Sequence, residues 1–313
     1  MNLNKIRTIF IGTPDFGVPT LEALNKDEHF EIVAIITQPD MPVGRQQTLT
    51  PTPIKITAQK YDWLILQPKR IREITEQIKN LQPDVIIVIA YAQIIPEEIL
   101  AIPKYGCINL HGSLLPKYRG AAVIQASILN NDKETGLTVM KMDSGLDTGP
   151  ILAQISMLIN ANDSYGLLYD KLAILAPDFF IKTLIEYVQG KITPQKQDEI
   201  KASYVSQIAK SDGLINWNKN ANEIKRLINA MNPWPSAWTW WNGKQLKIIS
   251  VQNKPIEINT YKPGKTFIYN RGLAIQCGED ALIINNIQLE GKKELTSQEF
   301  LCGQRDFIGS VLN

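Results

Sequence analysis

Histidine and cysteine are scarce in this chain, with two histidines and three cysteines in 313 residues. Zinc sites need clustered Cys and His, and Cys107, Cys277 and Cys302 are scattered, so neither a metal site nor a disulfide framework is expected. An odd number of separated cysteines fits reduced thiols in the cytoplasm. None of them adjoins a histidine, which argues against a thiol nucleophile. Charge of one sign is lacking too: 33 Lys and Arg face 31 Asp and Glu, and a net +2 announces no nucleic-acid binder. Long apolar runs are missing. Met1 to Arg7 is polar and only a short apolar run follows it, so neither a signal peptide nor a membrane span is expected. There are no internal repeats and no low-complexity tract. A phosphate loop is absent as well. Gly12-x-x-x-x-Gly17 is not Gly-x-Gly-x-x-Gly, and no Gly-Lys-Ser/Thr follows, so dinucleotide binding is disfavoured. What is present, 44% hydrophobic and 20% charged residues, is the composition of a globular protein long enough for two domains.

The first part of the chain alternates short apolar runs with helical patterns. Strands are expected at Thr8 to Ile11, Ile32 to Thr37, Leu64 to Leu66, Val85 to Ala90, Cys107 to Leu110, Glu134 to Met142 and Ile151 to Ser156. Helices are expected from about Pro14 to Asn25 and over Ile71 to Leu81. A long amphipathic helix over Tyr165 to Gln189 should bury Leu167, Leu168, Leu172, Leu175, Phe179, Leu184 and Val188, with Gly190 as its cap. This alternation gives an α/β fold, a doubly wound Rossmann-like parallel sheet with ligands at the carboxyl ends of its strands. Gly12, Thr37, Tyr91 and His111 then lie along one edge. Gln38 to Pro53 reads as a long polar loop beside that edge, either an insertion or a substrate-gripping element.

Lys191 to Ala209 is polar and aperiodic, a linker signature. Beyond it come a helix, Ala221 to Met231, and five short strands punctuated by glycines: Ala237 to Trp241, Gln245 to Gln252, Thr266 to Tyr269, Leu273 to Cys277 and Leu282 to Leu289. That pattern suggests a small OB-like β-barrel. The domains are therefore set at 1–190 and 209–313, with 191–208 between them. From Ala209 onward 13 basic residues face 9 acidic ones. A basic barrel suits a polyanionic partner, and a merely solvated surface suits the same count.

The stretch from Cys107 to Gln125 carries the chemistry. Asn109 and His111 occupy alternate positions of a strand and so point the same way. Gly112 ends the strand, and Pro116 and Gly120 shape the loop after it, which carries Lys117 and Arg119 and is suited to holding a ligand. An amide and an imidazole at one strand end form a donor for a developing oxyanion and a proton acceptor, the minimum for attack on a carbonyl. The same pair also occurs as hydrogen-bonded strand-end residues without catalysis. A second polar turn, Met142 to Pro150, follows the next strand and can bring a carboxylate to His111.

With these residues in view, the chain resembles the methionyl-tRNA formyltransferase family along essentially its whole length. The resembling pieces are Gly12-Thr13-Pro14-Asp15-Phe16, Thr37-Gln38-Pro39-Asp40 with Gly44-Arg45, and Asn109-Leu110-His111-Gly112-Ser113-Leu114-Leu115-Pro116. Arg119-Gly120-Ala121-Ala122, Met142-Asp143 with Gly145 to Gly149, and Asn232-Pro233-Trp234-Pro235 complete them. The resemblance implies formyl transfer from 10-formyltetrahydrofolate to the α-amine of methionine on initiator tRNA, in the cytoplasm, by a monomer, with no metal. It implies Asn109, His111 and Asp147 as catalytic residues. Ser113, Leu114, Leu115 and Pro116 match the folate-binding segment, and Ile89, Ala90, Tyr91 and Ala92 the wall that receives the pterin. Arg45 would be the tRNA contact of the Gln38–Pro53 loop, and the second domain the tRNA-holding barrel. Two departures stand out. Gln46 and Gln47 follow Arg45 where the family commonly has lysines, and Val123 stands where it usually has proline. A folate-dependent formyltransferase acting on an amino-sugar nucleotide is the alternative.

Overall fold

Isoleucine- and valine-rich runs become the strands of one central sheet in the computed structural model, which describes residues 5–44 and 46–313. In chain order the elements begin with β1 (Ile6–Gly12), α1 (Val18–Lys26), β2 (Phe30–Ile36), β3 (Met41–Val43), β4 (Thr48–Thr50), α2 (Pro53–Lys60) and β5 (Ile65–Leu66). There follow α3 (Thr75–Asn80), β6 (Val85–Ile89), α4 (Glu97–Leu100), β7 (Cys107–His111), β8 (Arg119–Gly120), α5 (Val123–Leu129), β9 (Glu134–Lys141), β10 (Ile151–Leu158), α6 (Tyr165–Val188) and β11 (Tyr204–Val205). The sheet order is β10-β9-β7-β6-β1-β2-β5. All five residues of β6 are buried, as expected of a strand covered on both faces. β1 pairs in parallel with β2 and with β6, β2 with β5, and β6 with β7. Strand order therefore reverses at β1 and β6, the topological switch point where doubly wound sheets bind ligands.

The parallel sheet expected from alternation is incomplete, because β7 pairs with β9 in antiparallel register, Asn109 opposite Met140 and His111 opposite Thr138. Parallel strands need a crossover, and here the chain returns from β7 through α5 on the opposite heading. Two other expectations are corrected. Gln38 to Pro53 is not a plain loop, since β3 and β4 form a two-stranded ribbon whose Met41, Val43 and Leu49 are 62%, 55% and 65% exposed. In α6, Leu168, Leu172 and Leu184 are fully buried, but Leu167 is exposed and Phe180 takes a buried place beside the expected Phe179.

The chain divides into two compact units. The first contains Met1–Gly120, Thr135–Met157 and Tyr169–Val205, and the second Ala121–Glu134, Leu158–Leu168 and Ser206–Asn313. The stretch 191–208 behaves as a folded part of the first unit up to Val205. Gln195 exchanges two backbone hydrogen bonds of 2.8 Å with Ile151, and β11 pairs in parallel with β8. Most of its polar residues are exposed, but Gln197 is buried and finds backbone partners far away in sequence, which no local pattern reveals.

The second unit holds α7 (Ala221–Met231), β12 (Ala237–Trp241), β13 (Lys244–Val251), β14 (Thr266–Tyr269), β15 (Gly272–Gln276), β16 (Ala281–Leu289), β17 (Leu295–Thr296) and α8 (Ser297–Gly303). Its sheet runs β12-β13-β16-β15-β14 with neighbouring strands antiparallel, and β17 adds to β16. Residues 310–313 bridge the two edge strands. Thr266 N donates to Ser310 O at 3.0 Å, and Trp240 N to Asn313 O at 3.0 Å. Trp217, Trp241, Phe300 and Phe307 fill the interior, and α5 lies on α7, where Arg226 Nε donates to Leu129 O.

Burial pushes the Cys107 and Cys277 thiols from 9 up to about 12, and the Tyr91 phenol from 10 to about 12. The folded chain thus keeps protons that the unfolded chain releases, so stability is full below pH 9 and falls as pH rises toward 12. Denaturant midpoints at about pH 8 and about pH 10.5 check this. The midpoint should drop at the higher pH, and in the native protein at the lower pH only the exposed Cys302 should react rapidly with a thiol reagent. An unchanged midpoint would contradict the burial of these groups.

Candidate active site

β7 ends the apolar core on a polar note. Cys107, Asn109 and His111 alternate onto one face, and Cys107 packs with Ile9, Ile11, Ile86 and Val88. The Asn109 side chain is half-buried and has no hydrogen-bond partner among the described residues. His111 is 7% exposed. Its Nε2 lies 2.9 Å from Tyr118 O, and a carbonyl only accepts, so this nitrogen carries the proton of that bond. Its Nδ1 faces Asp147 Oδ1 at 3.7 Å, beyond direct hydrogen-bond range. Of the proton acceptor expected at this strand end, one nitrogen is engaged by the loop that follows the strand, and the other faces a carboxylate.

Asp147 is fixed by two hydrogen bonds. Its Oδ2 accepts from Gly120 N at 2.8 Å, and its own carbonyl accepts from Gln197 Nε2 at 2.8 Å. Its backbone is left-handed, φ 54°, a conformation that aspartate tolerates better than most residues. Within the same turn, Asp143 Oδ1 accepts from Gly145 N and from Thr148 Oγ1. Gly149 has no room for a side chain, since a Cβ there would stand 1.9 Å from Lys141 O. Gly120 is equally constrained, with φ 109° and a Cβ position 2.3 Å from Val205 O.

The loop Ser113 to Pro116 is held from beneath by Thr138. Its Oγ1 donates to Ser113 O at 2.6 Å and accepts from Leu115 N at 3.1 Å and Gln154 Nε2 at 2.9 Å. Gln154 Nε2 also donates to Leu115 O at 2.8 Å. The Leu115–Pro116 peptide is cis. Ser113 is buried, and its hydroxyl donates to Lys117 O and Tyr118 O, so it serves the loop's own shape. Leu115 is buried, while Leu114 and Pro116 are half-exposed. At the end of β6, Ile89 and Tyr91 are buried, whereas Ala90 and Ala92 are exposed and left-handed, φ 50° and 63°. Both alanines lie beyond the last ladder pair, Gly12 with Ile89.

Arg119, expected in a ligand-holding loop, instead directs its guanidinium to Gln197, Glu199 and Tyr204. It is fully buried, and Glu199 beside it pushes the guanidinium further up from its ordinary value. Arg45 lies outside the described residues. The ribbon that leads to it is anchored at its base: Asp40 accepts from Lys55 Nζ at 2.7 Å and from Gln67 Nε2 at 2.8 Å, contacts that hold its carboxyl below the usual range. Sequence reasoning missed Tyr118, Thr138, Gln154 and Gln197. Each is an uncharged residue whose part in the site exists only through tertiary hydrogen bonds.

A family model described as formyl transferase matches residues 4–184, and one described as formyl transferase, C-terminal domain, matches 207–305. Among solved structures, the N-formyltransferase from Helicobacter canadensis in complex with folinic acid and dTDP-3-aminofucose superposes with TM-score 0.67 at 25% identity, covering 89% of this chain and 99% of that one. HypX from Aquifex aeolicus in complex with tetrahydrofolic acid shares the fold, TM-score 0.66 at 15% identity, over 96% of this chain and 47% of that one. Fold and strand-end site together therefore define a formyl transferase with a second unit. The methionyl-tRNA formyltransferase of Geobacter metallireducens is 42% identical over 300 residues, 95% of each chain, and that of Clostridium novyi is 43% identical over 312, 98% of this chain and 100% of that one. This chain belongs to the methionyl-tRNA formyltransferase family.

Thr138→Val removes a hydroxyl of nearly the same volume and strands the Leu115 amide and the Ser113 carbonyl. It should lower stability by roughly 1–3 kcal/mol, read as a shift in the denaturant midpoint. No shift would show that the loop does not depend on that hydroxyl.

Proposed function

We propose that this protein transfers the formyl group of 10-formyltetrahydrofolate to the α-amino group of methionine on initiator tRNA. The observation that carries this reading is an unpartnered amide, Asn109, two residues before an imidazole that faces the Asp147 carboxylate, at the ligand edge of the sheet. Relatives named for this activity, alike over nearly their whole length, support the choice of acceptor. Attack by the amine forms the new C–N bond. As the bond from carbon to the folate nitrogen breaks, one proton leaves the amine and one is delivered to that nitrogen.

Asn109 donates to the oxygen that becomes negative when the amine attacks. Because its amide has no internal partner, it needs no rearrangement to do so. When the His111 ring carries both protons, Nε2–H donates to Tyr118 O and Nδ1–H points toward Asp147, so positive charge stands beside the reacting carbon. Proton transfer through Nε2 requires that the bond to Tyr118 be exchanged for one to substrate. Asp147 orients the ring. No covalent intermediate is needed, because the formyl group arrives activated on nitrogen.

The end of β6 suits the pterin. Ala90 and Ala92 have small side chains and main-chain groups beyond the ladder, and the buried Tyr91 hydroxyl has no partner among the described residues. Ile89 forms the floor of this wall, and Ser113 to Pro116 the facing segment. We assign residues 1–190 to catalysis and 209–313 to holding tRNA, as an OB-like barrel. Closure of the sheet edges by residues 310–313 supports the barrel, and the basic balance of that half supports the partner. Arg45, on the ribbon, is the basic contact for the acceptor end. A monomer acting in the cytoplasm completes the reading.

The test is incubation with labelled 10-formyltetrahydrofolate and charged initiator tRNA, following labelled formylmethionine. Asn109→Ala should lower kcat by roughly 10²–10³-fold, and His111→Ala by roughly 10²–10⁴-fold, with tRNA affinity near normal. Transfer to a dTDP-linked amino sugar in place of the tRNA would overturn the reading. Arg45→Ala should weaken discrimination for initiator tRNA, compared as kcat/KM on initiator and elongator forms. Equal selectivity would reduce the ribbon to a connection.

A further inference from the structure

The stretch from Gln195 to Val205 lies outside both matched family regions, which end at 184 and resume at 207. It nonetheless touches both sides of the His111–Asp147 pair. Toward the loop after β7, Ser203 N donates to Pro116 O at 3.3 Å. Its Oγ accepts from Tyr118 N at 2.9 Å, and its carbonyl from Arg119 N at 2.7 Å. Tyr118 is the residue whose carbonyl holds His111 Nε2. Toward the other turn, the Gln197 side chain reaches the main chain on both sides of Thr148. Its Nε2 donates to Asp147 O at 2.8 Å and to Gly149 O at 2.7 Å.

The other end of the same carboxamide closes a network. Gln197 Oε1 accepts from Arg119 Nε at 3.2 Å and from Nη2 at 2.9 Å. Arg119 Nη1 donates to Glu199 Oε2 and Tyr204 Oη, and Nη2 also to Glu199 Oε1. All five guanidinium N–H groups are thereby used, as are both amide N–H groups of Gln197. Arg119 is fully buried and Gln197 is 4% exposed, so neither network member has water as a substitute partner. The next residue, Gly120, donates to the Asp147 carboxylate. One side chain thus ties the backbone of Asp147 to the strand whose amide orients its carboxylate.

We propose that Gln197 is a positioning residue for formyl transfer, setting the Asp147 turn against Arg119–Gly120 so that the carboxylate faces His111. Only a primary amide serves here, because the site demands two donors on one atom and an acceptor on the other. A carboxylate would keep the Arg119 contact but set an oxygen against two carbonyls. The inference rests on the catalytic roles given above to His111 and Asp147.

The test uses the full chain with Gln197→Glu and Gln197→Met, at a temperature well below the melting point of each. In Q197E the Arg119 contact persists and the fold is kept, while kcat falls about 10–100-fold, the scale of an ångström-level misplacement. KM for the folate and the tRNA should stay within about twofold, since neither substrate touches Gln197. A second readout needs no activity. The chain has two histidines, so ring ¹⁵N signals in a labelled sample divide between His29 and His111. The variants should shift the His111 signals and leave those of His29, held by Asp27, in place. In the unmodified protein the Gln197 carboxamide protons should exchange slowly with solvent. Unmoved His111 signals, a kcat within twofold of the unmodified protein, or fast exchange of those protons would each overturn the proposal. If the unmodified enzyme fails to transfer formyl while the ring signals still respond, the functional reading fails and the positioning role stands as structure alone.

Discussion

The site depends on one contact, the Asp147 carboxylate accepting the Gly120 amide. It joins a turn after β9 to a loop after β7, two lengths of chain that the sheet alone does not bring into register. A charge-assisted bond of this kind contributes more than a neutral one, roughly 1.5–3 kcal/mol. Its strength is secondary to its geometry, because Asp147 has a second oxygen, and that oxygen faces the imidazole. Neither glycine nearby is replaceable without moving this arrangement. Gly120 lets the main chain approach Val205, and Gly149 lets it approach Lys141.

Around that contact the molecule uses polar groups sparingly and satisfies them. The Thr138 hydroxyl serves three partners, and Arg119 has no idle donor. Thr13, Thr20 and Trp241 also carry a buried polar atom with no partner among the described residues, and two further cases stand at the ligand edge. Asn109 and the Tyr91 hydroxyl have no partner among the described residues, although each is wholly or partly buried. Unpaired polar groups at the ends of parallel strands stand where ligands of doubly wound sheets bind, which is the support they lend to the proposed function.

Much of the fold was legible from hydrophobic spacing. Ala221–Met231, Ala237–Trp241 and Thr266–Tyr269 have the limits expected of them, because each has a full period of apolar residues between clear punctuation. Asn109 and His111 were legible as a polar pair because their residue types stand out against an apolar strand, and Asp147 as the match to a family motif in a glycine-rich turn. What escaped was the work done by ordinary polar residues. Gln197 and Ser203 sit in a run with no periodicity, and such a run normally faces water. Apart from the Arg119 guanidinium on Gln197, their partners are main-chain carbonyls and amides, which every residue possesses, so the sequence carries no mark of the pairing. The antiparallel entry of β9 escaped for a similar reason, since alternating hydrophobicity does not encode strand heading. The ribbon of β3 and β4 was hidden by its prolines and glycine, which read as a loop.

The second unit is assembled from three separate lengths of chain, and α5 is one of them. Six consecutive residues of α5, Val123 to Ile128, are buried, and Leu129 packs on the interior of that unit. Severing the polypeptide at Val205 would therefore deprive the later fragment of a helix it relies on and leave the earlier one with a greasy strip uncovered. The two halves are interwoven rather than beaded on a string. Gene fusions that trade one half between relatives would have to carry α5 and the 158–168 stretch across as well, so the pair is expected to be inherited together.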